Sequence, residues 1–199
     1  YTDIYRELIS RLDKSEYPQT VYVPIKSESD NGRRADFSLP NTKYVYSRSY
    51  HDLDRPFYFR KLNKIRRDIL SKVDLDRSTL VHAHFLFSMG GIALMLKNEF
   101  DLDYVVSVRN VDVNVFFRYG FWLRKYAFSI LKEARKVIFL SPSYLKRVTE
   151  NYLPRQHRKD IESKSVVLPN GVNRFWLENM NTSPPIRSEH EIRLVYTGE

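Results

Sequence analysis

The side chains best suited to chemistry in this 199-residue sequence follow two short apolar runs. His84 comes directly after the first run, Thr79–Ala83. The second run, Tyr104–Val108, is followed by Arg109, Asn110 and Asp112. A guanidinium group binds phosphate or carboxylate through two parallel hydrogen bonds, and amide and carboxylate groups bind hydroxyls. We therefore expect Arg109 and Asn110 to face a substrate, with Arg109 binding its phosphate or carboxylate, and Asp112 to be a third polar residue of this site. A buried Arg–Asp pair that only shapes the loop is the alternative.

The elements around these residues predict that they lie close together. Both runs have strand length and are apolar on both faces apart from His82 and Ser107, as expected for buried parallel strands. Between them, apolar residues from Ile92 to Phe100 recur at helical spacing. This strand–helix–strand order predicts a βαβ unit, in which both strands end at the same ligand-binding edge of the sheet.

A helix start between the two strands offers a second candidate site. Ser88, Gly90 and Gly91 stand where free backbone N–H groups and the helix dipole favour an anion. Close packing of the helix against a strand explains the glycines equally well. The spacing is not that of a dinucleotide-binding fingerprint, whose first glycine directly follows the strand.

The two histidines lie on the same side of the first predicted strand. His82 and His84 could share a metal ion, but no third ligand is suggested nearby, so we predict no metal site. We expect His84 to be a polar contact in the cleft. For His82 we favour a buried side chain that is hydrogen-bonded to backbone.

Composition favours an anionic partner. The chain carries 33 lysines and arginines against 24 aspartates and glutamates, a formal charge of +9. It has no cysteine, which excludes disulfides and thiolate metal sites. Because no apolar run approaches the roughly 20 residues that span a bilayer, we expect a cytoplasmic protein.

Two predicted basic helices, Phe57–Val73 and Phe116–Lys136, suggest where an anionic surface could bind. Most basic helix faces are simply solvated. In the second helix, however, phenylalanines lie among the charges, which favours a peripheral position on anionic lipid at the inner face of a membrane. The residues of this hypothesis are Arg118, Phe121, Arg124, Lys125, Phe128 and Lys132. Nucleic acid is disfavoured because no recognisable binding module surrounds the aromatic residues.

The ends of the sequence suggest the domain organisation. The chain starts inside a predicted helix, so we expect that a first strand is missing from a domain that covers residues 1–178. A polar loop with its tip at Asn31-Gly32 is expected over Lys26–Pro40. Residues 179–199 are predicted to be a linker followed by one strand that ends at Gly198, the first strand of a truncated second domain.

Six motifs in order suggest a family. The series VHAH, FSMGG, VVSVRNVDV, ARKVIFLS, VVLPNGVNRFW and RLVYTGE resembles the N-terminal half of family-4 glycosyltransferases of the GT-B fold. The resemblance covers about residues 79 to 199 and implies an α/β fold, a Rossmann-like parallel sheet sandwiched by helices. In that family this half binds the acceptor, and the turn corresponding to Asn170-Gly171 leads into the crossover between domains. Gly198 would lie near the donor phosphates, Arg109 would contact a phosphate or the sugar, and Asp112 would orient Arg109 or an acceptor hydroxyl.

The resemblance also implies an activity. It implies transfer of a sugar, with retention and without a catalytic metal or other cofactor, from a nucleotide sugar to a hydroxyl acceptor such as a glycan, a polysaccharide or a lipid-linked group. Many members have His-Gly where this chain has Arg109-Asn110, a departure consistent with another donor or acceptor. Because the paired-glutamate motif of the donor domain is absent, we expect this fragment to be inactive alone. A non-catalytic module that binds a phosphate ligand or an anionic membrane remains the alternative.

Overall fold

All strands of the protein that are described in the computed structural model lie in two parallel sheets. The structure describes residues 3–25, 38–54, 56–171 and 174–180. A two-stranded sheet pairs β1 with β2, and a four-stranded sheet has the order β3-β4-β5-β6. The strands are β1 Gln19–Pro24, β2 Thr42–Ser47, β3 Val81–Ala83, β4 Tyr104–Val108, β5 Lys136–Phe139 and β6 Ser165–Val167.

Helices connect the strands. They are α1 Asp3–Lys14, α2 Tyr58–Lys72, α3 Gly91–Phe100, α4 Phe117–Tyr119, α5 Arg124–Glu133, α6 Pro142–Tyr152, α7 Arg158–Ser163 and α8 Arg174–Glu178. Of these, α3 and α6 pack directly on the larger sheet. Tyr104, Val106 and Val108 alternate on the buried side of β4, where they join the main core with α5 and α6 residues. The α/β class with parallel sheets and flanking helices is therefore confirmed.

Most predicted elements form close to their predicted bounds. The helix predicted over Phe57–Val73 forms as α2, and its Leu62 and Ile65 are fully buried against α3. Ser141 caps α6, because its Oγ accepts a hydrogen bond from the backbone N–H of Tyr144 at 3.2 Å and Pro142 begins the helix. Phe57, the first residue of the predicted helix, instead precedes α2, and its side chain is exposed.

The single long helix predicted over Phe116–Lys136 is also wrong. The chain instead forms a π-helical turn at Asp112–Phe116, the short helix α4, a break at Gly120 and a 3-10 turn before α5 begins. Gly120 adopts a non-helical backbone conformation with φ −89° and ψ 52°, and its lack of a side chain lets the Phe116 carbonyl approach closely. Periodicity alone missed this break because apolar residues continue on both sides of it.

Some predicted features lie outside the described residues. They are most of the loop around Asn31-Gly32, the segment beyond residue 180 with its predicted strand, and Gly198. In the part of the chain that is described, no helix combines the length and apolar character that crossing a bilayer requires.

Candidate functional site

Asp112 is the buried centre of the loops that follow β3 and β4. Its side chain is 1% exposed, and its two carboxylate oxygens accept three backbone hydrogen bonds. The N–H groups of Leu86 and Arg109 lie 3.2 and 2.9 Å from Oδ2, and that of Phe87 lies 3.2 Å from Oδ1. The carboxylate therefore joins the ends of two neighbouring strands, and it contacts the Arg109 backbone rather than its guanidinium group.

The same contacts show which group binds the backbone N–H groups at the start of the helix after β3. Leu86 and Phe87 begin the π-helical turn that continues into α3, and they donate to Asp112. An anion does occupy this helix terminus, but it is the protein's own carboxylate. Burial raises the pKa of Asp112 to about 6, against the lowering effect of its backbone hydrogen bonds and of Arg109.

The two glycines at this helix start allow close packing. A Cβ on Gly91 would lie 2.6 Å from Leu62 Cδ1, and one on Gly90 would lie 2.9 Å from Ile130 Cγ2. Tyr126 also donates a hydrogen bond to the Gly91 carbonyl oxygen at 3.0 Å. Of the two interpretations of these glycines, the geometry favours packing of α3 between α2 and α5.

Arg109 presents its guanidinium group at the carboxyl edge of the sheet. Its Nε donates to the His84 carbonyl oxygen at 3.3 Å and its Nη1 to Asn170 Oδ1 at 2.6 Å. The guanidinium carbon lies 5.3 Å from the centre of the Tyr5 ring. These partners are all neutral, and no carboxylate of the described residues forms an ion pair with this group. Its positive charge thus remains available to an anion.

His84 is half-buried between two rings. The ring centroids of Tyr5 and His82 lie 4.6 and 4.2 Å from that of His84. Burial, with further contributions from His82 and Arg109, lowers the pKa of His84 to about 3, so its imidazole is neutral at physiological pH. Its Nδ1 is buried with no hydrogen-bond partner among the described residues. A neutral donor or acceptor is therefore held beside Arg109.

The environment of the His82 side chain differs from the predicted one. Its side chain is exposed, and its Nε2 lies 3.3 Å from Ser107 Oγ instead of contacting backbone. The described residues contain no group of three or more histidine, cysteine, aspartate or glutamate side chains that could hold a metal ion.

Asn110 belongs to a polar chain that reaches α6. Its Oδ1 accepts hydrogen bonds from Tyr144 Oη at 3.0 Å and from Asn114 Nδ2. Asn114 Oδ1 in turn accepts one from Arg147 Nη1 at 2.8 Å. These contacts fix the orientation of the Asn110 amide at the edge of the site. The sequence interpretation missed Tyr144 and Arg147, which lie on a separate helix and carry no motif.

Residues after β6 complete the edge. Asn170 lies against Arg109, as described, while Gly171 is exposed with no heavy atom within 4 Å of the position that a Cβ would take. The structure therefore brings together three of the predicted residues, His84, Arg109 and Asn170, and places Asp112 beneath them. Tyr5 joins this group without any signal in the sequence.

Ser88 lines an open pocket next to this edge. The pocket has a volume of about 260 Å³ and is mostly apolar. Its walls are Tyr58, Lys61, Leu62, Ser88 and Phe116. A larger depression of about 470 Å³ lies around Leu75–Arg77 and Lys97–Leu102, near the opposite edge of the sheet. Because ligands of parallel sheets bind at the carboxyl ends of strands, we assign the smaller pocket to the site.

The residues of the predicted membrane surface have different environments. Phe121 and Lys125 are exposed, and Arg118 lies 5.2 Å from the Tyr119 ring. The others have intramolecular contacts: Arg124 donates to the Phe117 and Arg118 carbonyl oxygens, the Phe128 ring lies 4.8 Å from the His157 ring, and Lys132 Nζ lies 3.9 Å from Glu133.

Comparison with known proteins shows a similarity to a glycosyltransferase. A protein of Methanocaldococcus jannaschii named an uncharacterized glycosyltransferase, MJ1178, is 24% identical over 124 residues. That region covers 61% of this chain but 31% of the relative, so the chain spans about a third of the relative's length. No protein-family model matches the chain.

Proposed function

We propose that this chain is the acceptor-binding half of a retaining glycosyltransferase, which transfers a sugar from a nucleotide-sugar donor to a hydroxyl acceptor. The similarity to a protein named a glycosyltransferase supports this class of activity. The parallel α/β fold, with its polar residues at the carboxyl ends of the strands, supports the position of the site. The proposal assigns the nucleotide sugar mainly to a second domain.

The observation that carries the proposal is the environment of Arg109. A guanidinium group that is oriented by a backbone carbonyl and an asparagine, and that forms no ion pair with a carboxylate of the described residues, is suited to a phosphate of the donor. During transfer the leaving nucleoside diphosphate gains negative charge, which such a group stabilises more strongly than the ground state. Arg109 is therefore the proposed catalytic residue of this half.

The other site residues have supporting roles. Asp112 is inaccessible to an acceptor hydroxyl, because its side chain is buried and its oxygens accept backbone hydrogen bonds; we assign it to positioning the Arg109 backbone. His84, neutral at physiological pH, supplies a hydrogen-bonding group without adding charge. The pocket beside Ser88 would receive an apolar or aromatic portion of the acceptor, with Lys61 at its wall.

Titration of the chain with nucleoside diphosphate sugars and with pyrophosphate tests the anion site. Arg109→Gln should weaken binding about tenfold or more, the loss of one charge-assisted contact. Arg135→Gln is the matched control. Arg135 lies just before β5, is exposed and pairs with Asp103. Equal losses in both variants would contradict the assignment.

A transfer assay separates this proposal from a non-catalytic phosphate-binding module, which the neutral environment of Arg109 also fits. The chain, joined to the donor-binding domain that the proposal requires, is incubated with a panel of nucleotide sugars and hydroxyl acceptors. A glycosylated acceptor with retained anomeric configuration is the expected product. Anion binding through Arg109 with no product for any pair would favour the module.

A further inference from the structure

We propose that residues 118–125, together with the residues around the start of α2, dock on the surface of an anionic phospholipid bilayer. We call this region the docking surface; it consists of Phe57, Phe59, Arg118, Tyr119, Phe121, Trp122 and Lys125. The proposal concerns membrane attachment and holds whether or not the chain takes part in sugar transfer.

Exposed aromatic side chains are the first argument. Phe121 and Trp122 are 69% and 66% exposed, and Tyr119 is 61% exposed. These three residues flank the break at Gly120, while Phe117 and Leu123 on either side of it are buried. Contact of such large aromatic surfaces with water is unfavourable, and rings that carry a polar group favour the bilayer interface.

The start of α2 extends the same surface. Phe57 and Phe59 are 58% and 49% exposed. The Phe59 ring lies 5.1 Å from the ring of Tyr126, in an edge-to-face arrangement, so the first turn of α2 contacts the first turn of α5. Trp122 precedes Tyr126 by four residues, about one helical turn. The aromatic residues of the two helix starts therefore form one region.

Charge identifies the occupant as anionic lipid. The stretches 55–67 and 113–132 contain lysines and arginines but no aspartate or glutamate. Although Arg60 and Lys64 pair with the buried Asp54, Lys125 is exposed beside the aromatic residues, and Arg118 lies next to Tyr119. Interfacial binding has two components: aromatic groups that enter the headgroup layer, and cations beside them that are attracted to lipid phosphates.

The position of this surface relates it to the candidate site. The first turns of α2 and α5 lie at the edge where β3 and β4 end, and Phe116 and Tyr58 line the pocket beside Ser88. Docking would hold that edge of the sheet against the headgroups. A ligand that is anchored in the same bilayer would then reach the pocket without leaving the membrane surface.

Vesicle binding of the 199-residue chain tests the inference. Phosphatidylcholine vesicles with phosphatidylglycerol should bind the protein in about 0.1 M salt, and binding should weaken strongly in about 1 M salt, where charges are screened. Vesicles of phosphatidylcholine alone should bind much less. In a Trp176→Phe background, Trp122 is the remaining tryptophan, and its emission should shift to shorter wavelength on binding.

Matched variants identify the contact. The double variant Phe121→Ala/Trp122→Ala should weaken binding about tenfold or more, and Lys125→Glu should do so on the order of tenfold in low salt. The controls are Phe100→Ala and Lys136→Glu, which change exposed residues at the opposite edge. Circular dichroism verifies that each variant is folded.

Three outcomes would overturn the proposal. They are equal binding to both kinds of vesicle, equal losses in the control and test variants, and an unchanged Trp122 emission while the protein is bound. If these aromatic residues instead bind another protein, vesicles will leave the emission of Trp122 unchanged.

Discussion

The Oδ1 atom of Asp112 accepts a hydrogen bond from the backbone N–H of Phe87 at 3.2 Å, across 25 residues of sequence. Asp112 lies in the loop after β4, and through this contact its carboxylate is the anion at the start of the helix that follows β3. Because Asp112 also accepts from the Arg109 backbone, the same carboxylate holds the helix start and the candidate anion site in one arrangement.

Asp112→Asn should destabilise the fold by about 2 kcal/mol. An asparagine keeps one acceptor oxygen but turns its NH₂ group toward a backbone N–H, which leaves a buried donor unsatisfied. Urea unfolding followed by circular dichroism measures the free energy of unfolding. As a control, Asp103→Asn removes an exposed carboxylate that pairs with Arg135 and should cost under about 1 kcal/mol. Similar costs at both positions would show that Asp112 is not the structural link described above.

Gly91→Ala should cost about 1 to 3 kcal/mol through overpacking, because the new methyl group would meet Leu62 and Tyr126. Gly171→Ala is the matched control and should change stability by less than about 0.5 kcal/mol, since open space surrounds its Cβ position. Thermal unfolding of both variants measures the difference. A stabilised Gly91→Ala protein would contradict the close packing and reopen the interpretation of this glycine as part of a ligand site.

His84 should make the protein less stable in mild acid. Its pKa is lowered from the ordinary 6.5 to about 3 in the folded state, so the unfolded chain binds the proton first as pH falls below 6.5. The contribution of His84 to the free energy of unfolding is fully present above pH 6.5 and decreases by about 2 kcal/mol by pH 5. Asp112 acts in the opposite direction: because its pKa is raised from 3.8 to about 6, its contribution to stability is fully present below pH 3.8 and is lost as the pH rises through about 6.

A variant isolates the contribution of His84. His84→Phe keeps a ring between Tyr5 and His82 but removes the titration, so its unfolding free energy should decrease less than that of the parent between pH 7 and pH 5. Urea unfolding at the two pH values gives this difference. His51→Phe, which replaces an exposed histidine, is the control and should keep the pH dependence of the parent. Identical pH dependence in His84→Phe and the parent would refute the prediction.

Asn170→Asp should neutralise the candidate anion site. A carboxylate in place of the amide would lie about as close to Arg109 Nη1 as the present 2.6 Å and would compete with a phosphate ligand. We expect affinity for pyrophosphate or a nucleoside diphosphate to fall about tenfold, measured by titration calorimetry. Asn98→Asp, an exposed position near the end of α3, changes the net charge equally and should have little effect. A loss in both variants would indicate only nonspecific attraction.

The sequence determined the local elements and the edge at which polar residues gather. Apolar runs and helical spacing predicted β4 and α2, because each of these signals is confined to neighbouring residues. The same patterns located His84 and Arg109 after their strands. They failed at Gly120, where one residue ends a helix whose apolar periodicity continues.

Only the tertiary structure decided how the candidate site is used. It assigned Asp112 to backbone N–H groups rather than to a ligand, placed Tyr5 and Asn170 on Arg109, and packed the two glycines against neighbouring helices. The physical reason is distance along the chain: these contacts join residues about 25 to 105 positions apart. Local propensity contains no information about such pairs, whereas burial and hydrogen bonding across strands determine them.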